Sequence, residues 1–180
     1  MPFSIPTYRF YSLLLVAVGI AVFTGCRKIP KFSETPNITF QDVRKVTFYN
    51  AEQSGVDSVF ADSVIINIHF EDGNGDLGFP EDQRSEDNLD YFVDVSRQAN
   101  GVFNPVTFPA GFTYNGHIPL LAPVSTPGPL EGHIFYTMVF NYFVDQAADD
   151  TLKFTVKLKD RKGNYSNSVE SDPVIIRKTP

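Results

Sequence analysis

Tryptophan is absent from this 180-residue chain, cysteine occurs once, and histidine occurs only as His69, His117 and His133. A lone thiol, Cys26, excludes an intrachain disulfide framework and a cysteine-built zinc cage. Basic residues are outnumbered, 15 against 21 acidic, and the net charge of −6 argues against a general nucleic-acid binder. There is no Gly-x-Ser-x-Gly elbow, phosphate loop or His-Glu-x-x-His pair. No apolar run reaches the ~20 residues that span a bilayer as a helix.

What is present begins with an address. Arg9 supplies a short positive region, and an apolar run over 13–23 follows, ending in Thr24-Gly25 before Cys26. Eleven residues suit a signal peptide better than a membrane anchor. Residues 1–25 are therefore predicted to be a lipoprotein signal peptide. Phe23-Thr24-Gly25-Cys26 resembles a bacterial lipobox, with Phe where leucine is usual; that resemblance implies a diacylglyceryl thioether on Cys26 and an acylated new amino terminus. Residues 26–37 hold two prolines and no periodicity and read as a lipidated tether, with Arg27, Lys28 and Lys31 placed to meet anionic headgroups.

From 38 to 180 the pattern has period two. Val64, Ile66, Ile68 and Phe70 fall on one face of a strand over 63–70. Leu152, Phe154, Val156 and Leu158 alternate with Lys153, Thr155, Lys157 and Lys159, giving a strand with one buried and one wet face. Further strands are predicted over 38–41, 45–49, 90–97, 102–108, 132–144 and 173–177. Asn100-Gly101 is a hairpin signal, and Gly163-Asn164 a second turn. Seven or eight short strands without a helix predict an all-β fold, an antiparallel immunoglobulin/fibronectin III-like β-sandwich, with a small barrel as the rival.

Two stretches depart from the average. Residues 71–94 carry nine acidic side chains against one basic, Arg84. Residues 98–144 carry one formal charge, Glu131, with six prolines and nine Phe or Tyr, and 109–131 reads as a long loop. Long loops on rigid sandwiches are where binding usually sits.

The lipobox, the run Phe70-Glu-Asp-Gly-Asn-Gly-Asp-Leu-Gly78, Leu130-Glu-Gly-His-Ile134 and the turn Asp160-Arg-Lys-Gly-Asn-Tyr-Ser-Asn167 together resemble uncharacterised Ig-like lipoproteins of Bacteroidota-type bacteria. The resemblance implies an envelope lipoprotein, most simply at the outer membrane, with no established activity. Asn74 stands where that family has Asp, and Leu77 where it has Ile.

Asp72, Asn74 and Asp76 place three side-chain oxygens at alternate positions with glycines between, the first half of a calcium loop. Leu77 at the sixth position and Gln83 at the twelfth exclude a complete EF-hand. If 63–70 and 151–159 are strands B and F, the loops that follow them share one end of the sandwich. Asp160 or Asn164 then completes a metal shell, or Lys159, Arg161 and Lys162 neutralise the acids without one. Phe103, Phe108, Phe112 and Tyr114, with Phe135, Tyr136, Tyr142 and Phe143, offer either core packing or a platform for a sugar or a protein partner. Carboxylate pairs such as Glu81/Asp82 and Glu86/Asp87 are what would suggest a glycosidase, and a hydrolase is the weakest reading. The sequence thus predicts a non-enzymatic, lipid-anchored binding or structural module, with a carbohydrate-binding lipoprotein as the alternative. It implies no certain cofactor beyond candidate calcium, a membrane partner through the lipid, an envelope protein or glycan partner, and no nucleic acid.

Overall fold

The computed structural model describes residues 30–50, 59–126, 128–141 and 150–176. The signal peptide, Cys26, Tyr142 and Phe143 lie outside these residues. Eight strands are described: β1 (Asn37–Asn50), β2 (Val59–Asp72), β3 (Tyr91–Ala99), β4 (Val102–Pro105), β5 (Leu130–Asn141), β6 (Asp150–Leu158), β7 (Val169–Glu170) and β8 (Val174–Ile176). They form two antiparallel sheets, β1-β2-β5 and β4-β3-β6-β7, with β8 also paired to β6. The chain crosses between sheets after β2, β4 and β5, as an immunoglobulin-like sandwich requires.

Period-two burial builds the core. Val64, Ile66, Ile68 and Phe70 of β2 are buried, as are Leu152, Phe154, Val156 and Leu158 of β6. Tyr91 of β3 stacks on Tyr136 of β5 with ring centroids 3.8 Å apart, joining the sheets. The alternate residues of β6 are only half exposed. Lys153 pairs with Glu170 at 2.6 Å, and the Lys157 ammonium lies 4.5 Å from the Tyr165 ring centre. Long basic side chains commonly cover apolar surface while keeping their charge wet.

Asn100 and Gly101 both take positive φ, 53° and 81°, at the tip of the β3–β4 hairpin. That is the type I′ geometry their sequence predicts. Three strand expectations need correction. The segments 38–41 and 45–49 belong to one strand, β1, whose register shifts between Phe40 and Asp42. Such a bulge moves the alternation to the other face and makes one strand read as two. The 102–108 strand stops at Pro105, and β7 was not foreseen. Beyond β4 the long loop takes over the free edge of β3: Gly116 and Tyr91 exchange backbone hydrogen bonds, and the Val93 N–H donates to Asn115 Oδ1.

The compact unit begins at Lys31. Residues just before β1 are already fastened to it, with Gly73 N–H donating to Ser33 O at 2.7 Å. Asn167 uses its side-chain amide as a substitute peptide: its Oδ1 accepts from Ile38 N and its Nδ2 donates to Ile38 O, each at 2.8 Å. This ties the start of β1 to the loop between β6 and β7, and so one sheet to the other.

Candidate cation site

The loop leaving β2 and the turn leaving β6 meet at one end of the sandwich, as the strand B and F assignment requires. Arg161 N–H donates to Asp76 O at 3.1 Å. The β2 loop curls because Gly75 and Gly78 adopt φ of 67° and 78°, which other residues rarely take. Leu77, between them, is fully buried in the core. An EF-hand needs a flexible glycine at this position. Here a leucine plugs the loop into the hydrophobic core instead.

Asp72, Asp76 and Asp160 are all buried here. Asp72 accepts backbone N–H bonds from within its own loop, from Asp76 at 2.9 Å and Asn74 at 3.5 Å. Asp160 accepts from the backbone N–H and the side-chain Nδ2 of Asn164, at 2.7 and 2.8 Å. Asn164 therefore holds Asp160 in place. Asp76 differs: it is 7% exposed, and among the described residues neither carboxylate oxygen has a hydrogen-bond partner. The Asn74 side-chain amide atoms are likewise buried and unpartnered.

Burial, and then the charges of Asp160 and Asp72, push the Asp76 carboxyl above the usual carboxylate range, while Lys162 and Arg161 pull the other way. Burial also raises Asp72, partly offset by the N–H bonds it accepts. A carboxyl raised in the folded state loses stability as pH climbs through its folded value, because the native form then carries a costly charge.

The neighbouring basic residues act on these acids from a distance and make their direct contacts elsewhere. The Arg161 guanidinium donates to the loop carbonyls of Leu77, Gly78 and Gly75 at 3.2, 2.6 and 3.4 Å. Lys162 faces Glu34 at 3.8 Å on the surface. The Lys159 ammonium lies 5.9 Å from the centre of the Phe92 ring. Among the described residues none of the three forms an ion pair with Asp72, Asp76 or Asp160.

The other candidate residues fall in separate places. Phe108, Phe112 and Tyr114 form an aromatic cluster with centroids 5.0–5.4 Å apart, and Tyr114 packs 4.8 Å from Phe140. Burial pushes the Tyr114 hydroxyl up to about 12. Only Phe112 of the three is strongly exposed, at 49%. Phe103 stands apart on the β4 hairpin, beneath the Lys153 ammonium. Glu81/Asp82 and Glu86/Asp87 sit on exposed single turns of 3-10 helix.

Sequence reasoning missed one pairing. His69 and His133, distant in the chain, are directly opposite on β2 and β5, with ring centroids 5.2 Å apart. Only the β2–β5 register brings them together. It also missed Arg161 as a latch on backbone carbonyls, although an arginine facing a glycine-rich loop is a readable signal for that role. No known family model, curated protein or solved structure matches this chain.

Proposed function

We propose that this chain is a lipid-anchored protein of the bacterial envelope, a non-enzymatic binding or structural module held at the outer membrane through Cys26. The observation that carries the reading is the position of the single cysteine, directly after Thr24-Gly25 at the end of an eleven-residue apolar run. Two or three acyl chains, at about 0.8 kcal/mol per buried CH₂, make such an anchor effectively permanent. Four residues lie between Cys26 and Lys31, five steps of at most ~18 Å of extended chain, so the lipid would keep the compact unit close to the bilayer.

The test is mass spectrometry of the mature protein from its native envelope, with detergent-phase partitioning of the wild type and Cys26→Ala. The expected results are an amino-terminal cysteine carrying acyl chains, and loss of detergent partitioning in the variant. A mature terminus at another residue, or unchanged partitioning of Cys26→Ala, overturns the proposal.

A second reading, carbohydrate binding, is favoured by one feature. A cleft of about 380 Å³ beside Phe108 is lined by polar groups that include Asp94, Ser96, Thr113 and Asn115. Phe112 supplies an exposed ring beside this cluster, and sugars stack on such rings while polar groups take their hydroxyls. On this reading a glycan array gives discrete binders, and Phe112→Ala weakens them about tenfold. An array without binders removes it.

A further inference from the structure

We infer that the outer face of the β1-β2-β5 sheet carries a separate ligand site, in which Phe135, His133 and Arg44 take an uncharged sugar. The inference rests on the carbohydrate reading above for its ligand class but not for its place. The cleft beside Phe108 is lined by β3 and β6 of the other sheet.

Alternation sets this face. Val64, Ile66 and Ile68 of β2 are buried in the core, so Ile65, Asn67 and His69 belong to the outer side. The register places Asp42, Asn67 and Phe135 in one row across β1, β2 and β5, with His69 and His133 paired beside it. Phe135 is 57% exposed, more than any other Phe or Tyr among the described residues. The Arg44 guanidinium lies 5.9 Å from its ring centre, and the His133 ring lies 6.3 Å away and tilted by 25°.

A chain of hydrogen bonds beside Phe135 fixes the position of one proton. Bonds from Asn67 and then Arg44 hold the Asp42 carboxyl below the usual carboxylate range, so at neutral pH it only accepts. Asn67 must therefore turn its amide nitrogen to Asp42, and Nδ2 donates to Oδ2 at 2.7 Å. That leaves Asn67 Oδ1, an acceptor, facing His133 Nδ1 at 3.1 Å. The neutral His133 ring consequently carries its proton on Nδ1, and Nε2 keeps a bare lone pair. Asn67 is buried with both ends of its amide in use, so the fold rather than solvent sets this arrangement.

Each part suits a pyranose. The exposed ring is an apolar plate for the C–H face of the sugar. His133 Nε2 accepts from one hydroxyl, and the guanidinium nitrogens of Arg44 donate to another. The surrounding charge selects against acidic sugars. Arg44 is already paired with Asp42 at 2.9 Å, and Glu71 and Glu131 stand opposite each other next to the histidines. Among the described residues no three acidic, histidine or cysteine side chains are placed to hold a metal ion, which argues against reading the histidine pair as a metal centre.

The test uses the full chain in detergent against an array of neutral gluco-, manno-, galacto- and xylo-oligosaccharides beside uronate and sulfated ones. Isothermal titration of the binders follows. The expected binders are neutral, Phe135→Ala weakens them about tenfold, and Phe112→Ala leaves them unchanged. Histidine nitrogen chemical shifts should show the Nδ1–H form at His133. Asn67→Leu should lose that form and bind several-fold more weakly, because the ring is no longer held. Binders lost in Phe112→Ala but kept in Phe135→Ala leave the cleft reading standing and overturn this one. An array without neutral binders overturns both. An Nε2–H form at His133 in the wild type also overturns the site. So does self-association by light scattering that Phe135→Ala abolishes while no glycan binds, since the face would then belong to a second copy of the chain.

Discussion

Phe154→Ala is expected to cost about 3–5 kcal/mol of folding stability, a fall of roughly 6–20 °C in melting temperature. Phe154 is fully buried at the middle of β6, and its ring centroid lies 5.9 Å from that of Phe140 on the facing sheet. β6 pairs with β3, β7 and β8, so the strand has little freedom to close over the void. Its backbone N–H is also held, donating to Ser171 Oγ at 3.0 Å. The neighbouring Lys153→Ala makes the contrast. It removes an ion pair at the surface, an interaction worth about 1 kcal/mol or less. Equilibrium unfolding in denaturant measures both. Comparable losses from the two variants would mean that the β6 side chains have been assigned to the wrong faces.

Gly75→Ala is expected to cost roughly twice as much as Gly101→Ala, although both glycines have positive φ. At Gly101, φ is 81° and an added Cβ meets nothing within 4 Å. Alanine there suffers only the left-handed backbone penalty, about 1–2 kcal/mol. At Gly75, φ is 67°, and the Cβ would also collide with the Gly128 carbonyl oxygen. Backbone on one side must move, and the loop that moves carries Leu77 out of the core and the Gly75 carbonyl away from Arg161. The difference between the two variants, read from the same denaturant curves, reports the close approach alone. Equal losses would show that the β2 loop is not packed against Gly128.

The strands were readable because a two-sided strand repeats its burial every second residue. Leu152 to Leu158 announces itself in that way, and so does Val64 to Phe70. β1 was harder to read as one element, because the register shift between Phe40 and Asp42 interrupts the repeat. β7 has two residues, too few for any period to appear. In the candidate site, Asp72, Asn74 and Asp76 were visible from spacing. Asp160 followed from placing strands B and F in one topology. Nothing in the sequence distinguishes Asp76, with its bare carboxylate, from Asp72, whose carboxylate is ringed by N–H groups, since that depends on how the loop turns. The pairing of His69 with His133 and the bond from Asn167 to Ile38 are hidden for a similar reason. Each depends on register or on a contact between residues far apart in the chain.

The Asn167–Ile38 clasp has a mechanical consequence. A load applied to the chain before Lys31 travels first to the bond between Ser33 and Gly73, and next to Ile38 at the start of β1. Without the clasp, β1 could be peeled from β2 one pair at a time, beginning at Asn37 and Glu71, and unzipping of that kind needs little force. The two hydrogen bonds from Asn167 place a stop at the second pair and pass the strain to the opposite sheet. Pulling from the amino-terminal side would thus strain both sheets together, and the domain would yield as a unit rather than fray from its first strand.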